Sequence, residues 1–194
     1  MLRHGARGHC AVPEVNPWVL LLNPVAGTPQ GTLAPTALRG LLKGLGLRQV
    51  TTAPPTGDAV FCGVIDGRTF GGHLSDMIKT GFGVHRRALM LSGDSFAEIA
   101  SGWPWPGVPN NPGAGHIWFL DHPSRASSAN LRAAAAPGDH LALTPQALYH
   151  HAPAGLAHSP HTARIERLLG VPVHRRDLGG IAGLTALLAR LRDD

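Results

Sequence analysis

The chain of 194 residues is poor in the features that most readily name an activity. Cysteine occurs twice, as Cys10 in a glycine-rich start and Cys62 in an apolar run, which gives no disulfide framework and points to a reducing cytoplasm. No window approaches the ~20 apolar residues of a membrane span. The opening MLRHGARGHCAVPEV lacks the apolar core of a signal peptide, so a soluble protein with no membrane partner is expected. Carboxylates number only 12, and none pairs convincingly for general acid–base work. GxSxG, HExxH, GxxxxGK(S/T) and GxGxxG are all missing. No catalytic residue, cofactor or metal is therefore expected, and the reading leans away from an enzyme.

Lysine is scarce as well. Of the 17 basic residues only Lys43 and Lys79 are lysine, and the net charge is +5. An arginine bias suits phosphate, whose oxygens the guanidinium fork meets bidentately. It also follows from GC-rich coding, which would enrich Ala, Gly and Pro in the same way.

What the chain does have is a seam. Gly102–Gly115, GWPWPGVPNNPGAG, carries prolines, glycines and two tryptophans with no charge, so neither a helix nor a central strand fits it. Trp103 and Trp105 mark a segment packed onto something rather than a free linker. On either side the same order of elements recurs. Before it come a strand at Trp18–Leu22, a helix closed by Gly46, strands at Arg48–Thr52 and Ala59–Val64, a helix at Arg68–Phe82, and a strand at Arg87–Leu91. A short helix, Ser95–Ser101, leads into the seam. After it come a strand at His116–Leu120, a helix from an N-cap at Ser124 to Ala136, and strands at His140–Thr144 and Ala147–His151. A helix at Thr162–Leu169 capped by Gly170 and a strand at Val173–Arg176 follow, and an amphipathic helix at Gly180–Arg192 closes the chain. Each half reads β-α-β-β-α-β. The fold class expected is α+β: two tandem ferredoxin-like halves with a C-terminal helix. The expected divisions are a flexible basic tail at 1–16, a first half at 17–101, the seam at 102–115 and a second half at 116–194.

The segment WVLLLNPVAGTPQGTLAPTALRGLLKGLGLRQVTTAPPTGDAVF resembles the bacterial family called domain of unknown function 1697. Leu38, Leu41, Leu45 and Gly46 fall on that family's Leu-rich helix, Val50 and Thr52 on its next strand, and Gly57, Val60 and Phe61 on its turn-strand. Farther on, Tyr149, Pro153, Gly155, Ser159, Leu169, Gly170 and Arg176 fall on its C-terminal pattern. The resemblance covers roughly 17–192, implies two ferredoxin-like halves and supplies no established activity. The chain departs from the family at polar positions. Asn23 stands where the family has arginine, Asp58 where it has asparagine, Pro160 where it often has lysine, and Asp177-Leu178 where it has Asn-Trp. A site built on the family's residues there would be lost or altered.

Three constellations have some chemical content. The loop Asn23–Thr32 joins strand to helix and holds Gly27 and Gly31, as phosphate-cradling turns do, though an ordinary connection explains it more simply. Among 12 histidines, His150, His151, His158, His161 and His174 share one stretch. His150 and His151 point to opposite faces of a strand and so do not share an ion, and solvated loop histidines are the simpler reading. Nucleic-acid binding has more physical support. Ferredoxin-like sheets can stack bases on outward aromatics, and Phe61, Trp118, Phe119 and Tyr149 are the candidates on strands. Arg86-Arg87, Arg164/Arg167 and Arg175-Arg176 are the basic clusters that would neutralise phosphates. The residues chosen for a nucleic-acid interface are Arg86, Arg87, Arg164, Arg167, Arg175, Arg176, Trp118 and Tyr149, with a single strand as the favoured partner. A protein-interaction or homodimeric scaffold is the alternative, and a small-molecule enzyme using the Asn23–Thr32 loop is third.

Overall fold

Each half of the chain builds a four-stranded antiparallel sheet, and the two sheets turn one face toward each other. The computed structural model describes residues 15–24, 32–54, 56–106, 112–156 and 160–193. The proposed tail up to residue 14, the glycines of the first loop, His158 and Ser159 lie outside these residues. The elements of the first half are β1 (Asn16–Pro24), α1 (Pro35–Gly44), β2 (Arg48–Ala53), β3 (Asp58–Gly63), α2 (Gly67–Phe82), β4 (Arg86–Ser92) and α3 (Gly93–Ser101). Those of the second are β5 (Gly115–Leu120), α4 (Ser128–Ala134), β6 (His140–Leu143), β7 (Ala147–His151), α5 (Pro160–Leu169), β8 (Val173–Asp177) and α6 (Leu178–Asp193). Strand order is β2-β3-β1-β4 in one sheet and β6-β7-β5-β8 in the other. The mixed α+β fold of two ferredoxin-like halves is what the repeated element order implied.

Side chains alternate along a strand, so each sheet sorts its residues onto two faces. In β1, Leu20 and Leu22 turn to the core beneath α1 and α2, with Leu38, Leu42, Leu74 and Ile78. Val19 and Leu21 turn the other way, into a central layer with Ile117, Phe119 and Tyr149 of the second sheet. An uninterrupted WVLLL run is what a strand covered on both faces requires. The outer face of the second sheet, with Trp118 and Leu148, packs on α4 and α5.

The central layer is the main departure from expectation. A ferredoxin-like sheet with helices on one face leaves the other face open, and the stacking aromatics were placed there. Here that face is closed by α3 and α6, which follow β4 and β8 and lie between the sheets. Phe96 and Ile99 of α3, and Ile181, Leu184 and Leu188 of α6, are buried in the layer. Phe96 stacks on Phe119 with ring centroids 5.7 Å apart. Neither sheet presents a free aromatic face.

Two local differences are instructive. Ser127, not Ser124, caps α4 by accepting from Ala129 and Asn130 N–H. Ser124 instead donates from Oγ to the Leu169 carbonyl at 2.6 Å and so ties the turn after β5 to the end of α5. Trp103 and Trp105 of the seam pack edge-to-face, 4.8 Å apart, against His151.

Candidate ligand cleft

β4 is an edge strand, and a trench of about 980 Å³ runs beside it. Seven residues in extended conformation make the trench roughly 20 Å long. Its second wall is α2, which begins at the C-terminal end of β4 and runs back beside it. Asp66 fixes that start as N-cap, its carboxylate accepting from Arg68 N–H at 3.0 Å. Trp18 closes the same end, with its indole N–H donating to the Gly63 carbonyl at 3.2 Å and its ring lying over Gly67. A Cβ at Gly67 would collide with that ring, so glycine is needed there for packing. Ile65 and Met90 make this end apolar.

Charge gathers at the other end. Lys79, His85, Arg86 and Arg87 line it, together with Asp121 and His122 from the turn after β5. The trench is therefore built by both halves. Arg68 lines the wall nearer the α2 start. Four permanent cations meet three carboxylates, and Asp66 is committed to its capping role. Arg87 faces Asp121 across the halves at 3.8 Å, an exposed pair of small energetic value. Behind Asp121 the fully buried His174 places Nε2 3.3 Å from the other carboxylate oxygen.

In the middle of the trench a serine side chain ties the two walls together. Ser75 Oγ donates to Gly71 O at 2.8 Å and accepts from Ala88 N–H at 3.0 Å. A Cβ on Gly71 would strike the Ala88 carbonyl. The outward N–H and C=O of Ala88 are thus covered by α2, and a partner strand cannot add along the whole β4 edge.

The residues chosen from sequence scatter once the chain is folded. Arg86 and Arg87 line the trench. Arg164 and Arg167 are exposed on α5, away from it. Arg175 lies over the ring of Trp118, its Cζ 5.5 Å from the centroid. Trp118 is 0 % exposed, as are Phe61 and Phe119, so none offers a ring to a base. Tyr149 is buried too, its hydroxyl donating to the Ile99 carbonyl at 2.9 Å. Burial, and secondarily the Glu98 carboxylate, pushes that hydroxyl above its ordinary pKa, which keeps it a donor. The expected role of Trp118 and Tyr149 is corrected: both faces of their sheet are covered.

Arg176 is corrected in the same way. It projects from the central face of β8 and is only 7 % exposed. Its Nε and Nη2 donate to the two oxygens of Asp58, at 2.6 and 2.5 Å. Nη2 also donates to Leu22 O at 2.9 Å, while Nη1 donates to Asn23 Oδ1 at 2.8 Å and Arg175 O at 2.6 Å. All five guanidinium donors are used, leaving none for a phosphate. Asp58 is completed by Leu22 N–H and the Thr56 hydroxyl. Asn23 also donates to Val173 O at 2.8 Å. Asn23 and Asp58, two of the departures from the family pattern, thus meet at this one side chain and join the halves.

The two adjacent histidines behave as alternation requires. His150 turns outward to Asp139, with Nε2 2.8 Å from the carboxylate. His151 turns inward to the tryptophans and stacks on His140 at 5.8 Å. Among the described residues no three His, Cys, Asp or Glu side chains come together as a metal site. Within the same residues no helix is long and apolar enough to cross a membrane.

Sequence reasoning missed Trp18, Arg68, Lys79, Asp121 and His122. One signal was available: Arg68 and Lys79 stand eleven residues apart, three helical turns, and so share a face of α2.

Residues 15–149 match the profile of the family described as "Protein of unknown function (DUF1697)", and the chain belongs to that family. It is similar in structure to a conserved bacterial protein from Streptococcus pneumoniae, with a TM-score of 0.63 over 90 % of this chain and 99 % of that one. The two are 14 % identical, which speaks for a shared fold and for nothing further. No curated protein matches the chain.

Proposed function

We propose that the protein binds, without converting it, a ligand of nucleotide type: a ring bearing phosphate, either free or within a single strand. The observation that supports this is the polarity of the trench, with Trp18, Ile65 and Met90 at one end and Lys79, Arg86 and Arg87 at the other. A ring fits the first by stacking and apolar contact. Phosphate fits the second by charge-assisted bonds to guanidinium. About 980 Å³ is at the upper end of the range of ligand clefts. The site differs from the open-sheet platform of RNA-recognition modules, because both sheets here are covered on both faces. Strand-mediated pairing of two copies through β4 is disfavoured by Ser75 and Gly71 at Ala88.

The test is binding of fluorescein-labelled oligothymidylate and of thymidine 5′-monophosphate across a salt series. Affinity should fall with salt, and the Arg86→Ala/Arg87→Ala double variant should reduce the slope of log K against log salt by about 1 to 2. Arg164→Ala/Arg167→Ala should leave binding within about twofold, since those side chains lie outside the trench. Absence of binding to either probe at low salt, where attraction is strongest, would overturn the reading.

A further inference from the structure

The trench does not stop at Arg87. His122 lines it and also lines a second depression, of about 500 Å³, between the turn after β5 and the end of α5. The character of the surface changes across that histidine. Beyond it the walls are Pro123, Ala126, Leu168 and Val171, with the exposed Arg125 among them. The last turn of α5 also borders the depression through Leu169 and Gly170. A helix C-terminus carries partial negative charge and carbonyls without intrahelical donors. It is therefore a poor place for a phosphate. The Leu169 carbonyl there already accepts from Ser124 Oγ, so what the cup offers a ring is its apolar walls.

Across the two depressions that meet at His122 the order is therefore an aromatic end at Trp18, a cationic stretch at Lys79, Arg86 and Arg87, then His122, then an apolar cup. We propose that this surface holds a ligand in which two rings flank an anionic linker, so that the smallest unit filling it is a dinucleotide. This rests on the reading of the trench above and adds a second subsite, with Arg125 and His122 holding the linker where it passes from one depression to the other. Two sources supply that chemistry: neighbouring nucleotides of a single strand, and a free dinucleotide joined by pyrophosphate.

The experiment is isothermal titration of the full chain with thymidine 5′-monophosphate, with 5′-phosphorylated dithymidylate and with NAD+ as the pyrophosphate-linked probe. A second ring should tighten binding about tenfold or more over the monophosphate, or roughly 1.4 kcal/mol. Arg125→Ala, an exposed substitution that leaves the fold in place, should erase that gain and spare the monophosphate. Val171→Trp, which fills the cup, should do the same and separates loss of space from loss of charge. Whichever two-ring probe gains more names the source. Equal affinity for one-ring and two-ring probes, with Arg125→Ala indifferent, overturns the second subsite while monophosphate binding leaves the trench reading standing. Failure of all three probes to bind removes both.

Discussion

The same dipeptide, Arg-Arg, occurs on the corresponding edge strands of the two sheets and meets opposite fates. On β4, Arg86 and Arg87 line the open trench. On β8, Arg175 lies over Trp118 and Arg176 is closed within the central layer. Neighbouring residues on a strand face opposite ways, so each pair sends one guanidinium to either side of its sheet. What differs is the partner supplied there. The first half provides Asp58, Asn23 and the Leu22 carbonyl for Arg176, while the second half provides for Arg87 the half-buried Asp121 at 3.8 Å. Arg176 joins the halves, while Arg87 stays exposed at the surface where they meet. Charge count in the sequence says little about which arginine is available; the donors already used decide it.

The sharpest way to break this contrast is at Arg176. Replacing it with leucine leaves the Asp58 carboxylate buried at 1 % exposure without its cation, which should cost about 3–5 kcal/mol of unfolding free energy. Asp58→Leu should cost a similar amount by leaving the guanidinium unpaired. The double variant should cost clearly less than the sum, because an apolar pair leaves neither charge stranded. Guanidinium denaturation of the four proteins measures this. Additive losses would show that Arg176 and Asp58 do not act as a pair.

The part of this legible in the sequence was local. Helix ends announced themselves, since Gly46 and Gly170 do adopt the positive φ, 80° and 65°, that closes α1 and α5. Apolar runs and turn residues gave the order of strands, and the recurrence of that order gave the two halves. Contacts between the halves were not legible. Asp58 and Arg176 stand 118 residues apart, and no period or motif connects them. Nor did the stripe on the helix at 178–193 tell that, with α3, it covers the sheet face that carries Tyr149, while Trp118 is buried on the opposite face under α4 and α5. The trench was missed for a related reason. Of its cations only Arg86 and Arg87 are adjacent in the chain; Arg68 and Lys79 come singly from α2, and the far wall is the turn at Asp121 and His122 in the other half.

A second contrast between the halves is their response to acid. Burial holds the His150 imidazole below the ordinary 6.5 despite the opposing hydrogen bond and charge of Asp139. Burial and the Arg175 charge do the same to His116, against the Gly113 carbonyl and Asp177. Both groups are on the second sheet. With folded pKa values below the unfolded value, the unfolded chain binds more protons as the pH falls past about 6.5, so stability is present above that pH and is lost below it. Hydrogen exchange followed from pH 7.5 to 5.5, corrected for the intrinsic rate, should show protection falling in β5–β7 before it falls in β1–β3. A His150→Phe variant should flatten that dependence. Equal loss in both sheets would remove the distinction.

The smallest effect tests the outer member of the β8 pair. A cation held over a buried indole contributes about 0.5–2 kcal/mol, so Arg175→Met, which keeps much of the aliphatic stem, should cost about 1 kcal/mol. Arg87→Met, at a side chain 45 % exposed, should change stability by no more than about 0.5 kcal/mol. The same two substitutions should rank the other way in binding to a phosphate-bearing probe, where Arg87 lines the trench and Arg175 does not. Measured together, the four values separate an arginine that holds the fold from one that the fold leaves for a ligand. If Arg87→Met proves the more destabilising, its contact with Asp121 joins the halves more firmly than 3.8 Å and its exposure imply, and the trench is then a structural seam rather than a site.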